Sequence, residues 1–310
     1  MQLGVVFPGQ GSQYAGMADP WIDHPDGLAT LERASKVLGQ DVVDLCRDED
    51  ALATTEFVQP ALFACDLAAY RVLEAEGVQA SASAGHSLGE FAALVAAGAL
   101  ELESALEAVI ERGRAMQSAA DVRSGTMTAL LAVSSEEAAE ICAVAGRGDV
   151  LAVANENAPT QVVLSGSQEA IERAEELVRS RGSKAIRLRV AGAFHSPLMQ
   201  PAVPAIRDAV SHLHFETPHF PVAPNVSGRL TMEPSAMRDA LSRHVVSPVR
   251  WERTIRSLAQ AGFDTIVEAG PGDVLSKLAR RTVEGMSTVA VGSPADAVAF
   301  AERMREEVAT

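Results

Sequence analysis

The stretch Ala84-Gly85-His86-Ser87-Leu88-Gly89-Glu90 constrains this chain more than any other. Glycines two residues before and two after Ser87 are the spacing of a nucleophile elbow, a strand-to-helix turn so sharp that larger flanking residues would collide. The serine oxygen is then pushed clear of its neighbours. Residues 91–98, Phe-Ala-Ala-Leu-Val-Ala-Ala-Gly, are helix formers and small residues closing on a glycine, which predicts a buried helix starting just beyond the serine. Its free N–H groups and positive dipole end would lie beside Ser87, where they can stabilise an oxyanion. The same spacing also fits a plain glycine turn with a solvent-facing serine.

The flanking chain reads as alternating strands and helices. Residues 3–7 form a short apolar run ending at Pro8-Gly9, a buried strand feeding a loop in which Gly9 and Gly11 let the Gln10 backbone approach something closely. Residues 28–77 have helical spacing, with Pro60 placed to open a helix over 61–76 and Gln59 at its mouth. A small-residue strand over 79–84 then enters the elbow, giving the strand-helix-strand order of a parallel sheet. A helix over 102–117 follows, carrying Arg112 and Arg114. Arginines late in a helix can be simple dipole complements, but a fixed guanidinium is also the usual way to hold a carboxylate by two bonds.

At Gly125 the pattern changes. Strands over 126–133, 150–154, 161–165 and 184–190, with helices over 135–145 and 168–181, give the order βαββαβ of a ferredoxin-like unit inserted in the larger α/β pattern. A cleft between two bodies is a common ligand site. Asn155 and Asn157 are expected in the hairpin between the middle strands, as turn formers. Arg179, Arg181, Lys184, Arg187 and Arg189 cluster in an otherwise acidic chain; each alone suits a solvated edge strand, and together they suit an acidic partner or a phosphate. Of the 7 histidines, His195 stands at the exit from this unit, where it can serve as a base to Ser87. His86 adjoins the serine and should point elsewhere. His24, His212, His214, His219 and His244 have no evident partner and are expected at the surface or in structural roles. Further on, strands over 220–225 and 265–268 and helices over 234–243, 252–262 and 293–310 return to α/β, with a tight Gly270-Pro271-Gly272 loop.

Composition narrows the classes. A net charge of −15 argues against sequence-independent nucleic-acid binding, and 310 residues suffice for a large core without staples. The 3 cysteines, Cys46, Cys65 and Cys142, are far apart in the chain among apolar neighbours, so buried free thiols and a reducing compartment are expected, with no metal site. Neither a signal peptide nor a membrane span is evident, so a cytoplasmic location is expected.

In order and spacing, Pro8-Gly9-Gln10-Gly11-Ser12-Gln13, Gly85-His86-Ser87-Leu88-Gly89-Glu90, the Arg112 segment, Gly192-Ala193-Phe194-His195-Ser196 and Glu268-Ala269-Gly270-Pro271-Gly272 resemble the malonyl-CoA:acyl carrier protein transacylases. The resemblance spans nearly the whole chain. It implies an α/β fold with a hydrolase-like parallel-sheet body (residues 1–124 and 192–310) and the ferredoxin-like βαββαβ subdomain (125–191) inserted. It also implies ping-pong transfer of a malonyl group from malonyl-CoA to the phosphopantetheine thiol of an acyl carrier protein, with no bound cofactor. Ser87 would be the nucleophile and His195 the base, with the N–H groups of Gln10 and Leu88 as the oxyanion hole. Arg112, rather than Arg114, would pair with the malonyl carboxylate, and Gln59 and Asn157 would line the site. Phe194 matches the malonyl-preferring form, whereas serine there goes with methylmalonyl-type units. No aspartate completes a triad; a main-chain carbonyl near residues 248–251 would orient the histidine, and Arg250 stands where many relatives have glutamine. A carrier-protein thioester hydrolase on the same fold, a conventional esterase and a silent carrier-protein docking module are the rivals. A monomer is expected.

Overall fold

The computed structural model describes residues 2–309. Nine strands run in chain order: β1 (Leu3–Phe7), β2 (Ala82–Gly85), β3 (Thr126–Leu131), β4 (Leu151–Ala158), β5 (Gln161–Gly166), β6 (Lys184–Arg187), β7 (Val222–Ala223), β8 (Thr265–Ala269) and β9 (Ser287–Val291). They form two sheets. The larger has the order β7-β2-β1-β8-β9 and is parallel throughout. Alternation along β1 sends Leu3, Val5 and Phe7 into one core and Val6 into another, so helices cover both faces, as a parallel sheet requires. The smaller sheet is antiparallel, in the order β4-β5-β3-β6 of a ferredoxin-like unit. Its Leu130, Val162 and Leu164 pack on helices Ser135–Gly146 and Gln168–Ser180, while Met127, Ala129 and Val163 face the larger body and join its core.

Several expectations are corrected. The helix expected over 61–76 runs over Thr55–Ala75, with Pro60 inside it. Proline cannot donate to the Glu56 carbonyl, and the neighbouring helix comes close there at Gly113, where a Cβ would lie 3.1 Å from Glu56 O. The close crossing sets Gln59 against Arg112. That second helix runs over Leu102–Val122, longer than expected. Strand β4 continues to Ala158, so Asn155 and Asn157 lie in a strand and not in the turn that joins it to β5. It persists because it has two partners: bulges break its register with β5, and Asn155 bridges in parallel to Val249 of the larger body. Strand β9 had no expectation in its place. The Cys46 and Cys65 sulfurs meet at 3.8 Å as buried free thiols, whereas Cys142 is only half-buried. The terminal helix is described over Pro294–Ala309, and Thr310 lies outside the described residues. Among the described residues no helix is long and apolar enough to cross a membrane.

Candidate active site

Parallel pairing of β1 with β2 aligns Phe7 with Gly85, so both strands end at the same edge and the two glycine loops meet. The glycines are there because backbones touch. A Cβ on Gly85 would lie 1.9 Å from the Gly89 carbonyl, one on Gly89 would lie 2.2 Å from Phe7 O, and one on Gly9 2.3 Å from His86 O. Ser87 takes φ 51°, the left-handed region, and the helix Gly89–Ala96 starts immediately after it. The elbow predicted from spacing is present.

His195 also has a positive φ, 57°. Its Nε2 lies 2.8 Å from Ser87 Oγ, and its Nδ1 lies 3.1 Å from both His244 O and Ser247 O. Carbonyls only accept, so Nδ1 carries the proton and bare Nε2 faces the serine hydroxyl. Two main-chain carbonyls thus do what an aspartate does in a triad, and they come from residues just before the 248–251 segment. Burial first, then the Arg112 charge and His86, push the imidazole pKa down to about 3, against the opposing pull of the two carbonyls.

Arg112 is buried, whereas Arg114 is exposed and paired with Glu56 and Glu111. The Arg112 guanidinium donates from Nη1 to Gln59 Oε1 at 2.6 Å and from Nη2 to Ser87 Oγ at 2.9 Å. Its Nε is buried without a partner. Burial holds its pKa down to about 10, with Glu90 acting against that. A buried, underused fork of donors beside a serine hydroxyl is suited to binding an anionic group.

Ser87, His195, Arg112, Gln10, Phe194 and Asn157 all line one cavity of ≈ 190 Å³, between the two sheets. Asn157 Oδ1 lies 2.9 Å from His86 Nε2, so His86, expected to point away, faces this cavity too. Gln59 sits behind Arg112 and reaches the site through it. Leu88 is buried. The N–H groups of Gly89, Glu90 and Phe91 bond to His86, Ser87 and Leu88 carbonyls, and among the described residues no acceptor takes the N–H of Leu88 or Gln10.

The basic cluster is partly reassigned. Arg187 makes a two-point ion pair with Glu175, at 2.7 and 3.0 Å, and serves the packing of the small sheet on its helix. Arg179, Arg181, Lys184 and Arg189 remain exposed. Arg250 lies 3.8 Å from Glu156, so it joins the two bodies by charge.

Two residues were missed. His244, expected without a partner, is buried with its ring 5.3 Å from that of His195. Asn225 is wholly buried and holds the elbow from behind. Its signal was faint, since an asparagine at the end of an apolar strand reads as a turn former. Glu90 completes this buried group; burial lifts its carboxyl pKa to about 7, against the pull of the Asn225 N–H and of Arg112.

A serine hydroxyl at a strand-to-helix turn, within reach of an imidazole and of a buried guanidinium, is an arrangement suited to acyl transfer on an α/β fold. The chain belongs to the acyl transferase domain family, whose model matches residues 5–308. It is 37% identical over 306 residues to the malonyl CoA-acyl carrier protein transacylase of Escherichia coli strain K12, covering 97% of this chain and 99% of that one. The malonyl CoA-acyl carrier protein transacylase structure from Coxiella burnetii superposes with a TM-score of 0.94 at 36% identity, covering 98% of each chain. A malonyl-transacylase solved in complex with a type II PKS acyl-carrier protein superposes at 0.93 with 35% identity, covering 98% of this chain and 100% of that one.

Proposed function

We propose that this enzyme is an acyl-carrier-protein S-malonyltransferase, moving malonyl from malonyl-CoA to the phosphopantetheine thiol of a carrier protein through an acyl-serine. The observation that supports this best is Ser87 Oγ held between His195 Nε2 at 2.8 Å and Arg112 Nη2 at 2.9 Å in one cavity. In the first half-reaction Arg112 takes the malonyl carboxylate. Ser87 passes its proton to His195 Nε2 as Oγ attacks the thioester carbonyl, and the oxyanion rests on the N–H groups of Gln10 and Leu88. Collapse expels the CoA thiolate, which takes the proton from His195. In the second half-reaction His195 takes the proton of the carrier thiol, the sulfur attacks the malonyl ester, and the proton returns to Ser87 as the new thioester leaves. Gln59 holds Arg112 in place, Asn157 fixes His86 at the wall, and Phe194 crowds the α-carbon.

The two bodies divide as residues 1–124 with 192–310, and 125–191, and the cavity lies where they face each other. Arg179, Arg181, Lys184 and Arg189 form the docking patch for the acidic carrier protein, with the enzyme acting as a cytoplasmic monomer. Isolated malonyl-enzyme, mixed with holo carrier protein, should pass its malonyl group to the carrier, with slow loss in buffer alone. Rapid loss to water in the absence of carrier would instead make the enzyme a hydrolase. Charge reversal at Arg179 and Arg181 should raise KM for the carrier and leave KM for malonyl-CoA within about twofold, as an exposed electrostatic steering site would.

A further inference from the structure

Ser87 and His195 both occupy positive φ, 51° and 57°, which residues with side chains adopt at a cost, so neighbours must hold both turns. Strand β7 pairs Ala223 with Ala84, and the chain continues through Pro224 to set Asn225 directly behind the elbow. There its side chain spans the turn. Nδ2 donates to Gly85 O at 2.6 Å, and Oδ1 accepts the Ser87 N–H at 2.7 Å. The main chain of the same residue is also engaged: its N–H donates to Glu90 Oε2 at 2.8 Å, and its carbonyl accepts from Arg250 N at 3.0 Å. Arg250 closes the segment whose His244 and Ser247 carbonyls hold His195 Nδ1. His244 Nε2 points back to Asn225 Oδ1 at 3.4 Å.

One buried residue therefore ties the nucleophile's turn to the segment that aims the base. We propose that Asn225 is a positioning residue for acyl transfer, setting the Ser87–His195 geometry without touching the substrate; this rests on the roles assigned to Ser87 and His195 above. The chemistry demands an amide. Only a side chain with a donor beside an acceptor answers both Gly85 O and Ser87 N–H; a carboxylate would set a second acceptor against Gly85 O, and an apolar residue would leave both groups unpaired in a dry interior.

The test uses the full chain with Asn225→Ala and Asn225→Asp, each alone and with His195→Ala. Single-turnover formation of malonyl-enzyme is followed by intact mass, and folding by circular dichroism. Asn225→Ala should slow acylation about 10²-fold, the scale of a 1 Å misplacement. Half-saturation by malonyl-CoA should stay within about threefold, because Arg112 and Gln59 are untouched. In the His195→Ala background the same substitution should cost less than about threefold, because groups acting as a unit are not additive. Asn225→Asp adds a pH signature. Its carboxyl must keep a proton to donate to Gly85 O, and around it lie Glu90, His244 and the Gly85 carbonyl, with Arg112, His86 and His195 beyond. Across about pH 6 to 8.5, where Glu90 also titrates in the parent, acylation by this variant should fall relative to the parent as pH rises, since an anion beside Glu90 and a carbonyl is disfavoured. A folded Asn225→Ala within threefold of the parent, losses that add in the His195→Ala background, or an Asp profile that follows the parent would each overturn the proposal. So would failure of both variants to fold, which would make Asn225 a structural residue. Failure of the parent itself to form malonyl-enzyme would overturn the functional reading instead.

Discussion

Replacing Arg112 by alanine should convert the enzyme's preference for a carboxylate-bearing acyl group into indifference. The malonyl carboxylate would lose two charge-assisted hydrogen bonds, each worth about 1.5–3 kcal/mol. Together that is about 3–6 kcal/mol, or about 10²–10⁴-fold in kcat/KM for malonyl-CoA. An acetyl group has no carboxylate to lose, so its kcat/KM should change by less than about tenfold. A second effect follows from charge. Arg112 stands beside His195 and, after burial, is a cause of its pKa lying as low as about 3. With neutral imidazole as the proposed base, removing the cation should raise that pKa towards the ordinary value and move the acidic limb of the acylation profile to higher pH. Pre-steady-state loading with malonyl-CoA and acetyl-CoA over a pH series reads both effects. Malonyl loading within threefold of the parent, with an unmoved acidic limb, would refute the pairing of Arg112 with substrate and its electrostatic action on His195.

Phe194 is buried at the cavity wall, and Phe194→Ser should raise methylmalonyl loading relative to malonyl by about tenfold or more, since one methyl group is worth about 1–3 kcal/mol in such a pocket; a mixed-substrate intact-mass assay measures the ratio. Gly9→Ala would drive a Cβ to 2.3 Å from His86 O and displace the Gln10 N–H, so kcat should fall about 10²-fold or more at little cost in malonyl-CoA binding, in steady-state kinetics. Asp66 is wholly buried with neither carboxylate oxygen bonded, and burial, then Glu268, pushes its pKa well above 3.8. The folded state therefore holds a proton that the unfolded chain releases. That stabilisation is present below about pH 4 and lost as pH rises, by about 1.4 kcal/mol per unit for one proton. Asp66→Asn should flatten this slope in urea denaturation at pH 5–8.

The elbow was legible because its cause is local: a serine between two glycines needs no distant partner to announce a tight turn, and the approach of Gly85 to the Gly89 carbonyl is what that spacing required. The βαββαβ unit was legible through periodicity, and its strand order followed. What failed was non-local. Pro60 read as a helix start because a proline normally opens a helix, whereas here it lies inside one, beside a close helix crossing at Gly113 that no local pattern announces. Asn157 read as a hairpin residue because the strand that keeps it extended leans on Val249, almost a hundred positions away. His244 and Asn225 become site residues through burial beside Glu90, which no local pattern encodes. Arg112 and Arg114 were separable only by resemblance. Burial separates them physically, with one against Ser87 and the other among surface carboxylates.

Peptide mapping by mass spectrometry of the enzyme quenched after mixing with malonyl-CoA tests the acyl-serine most directly. One malonyl group per chain, carried by Ser87 and missing from Ser87→Ala, is the expected result. Malonyl attached to another residue, or transfer to the carrier protein by a Ser87→Ala variant at the parent's rate, would contradict it.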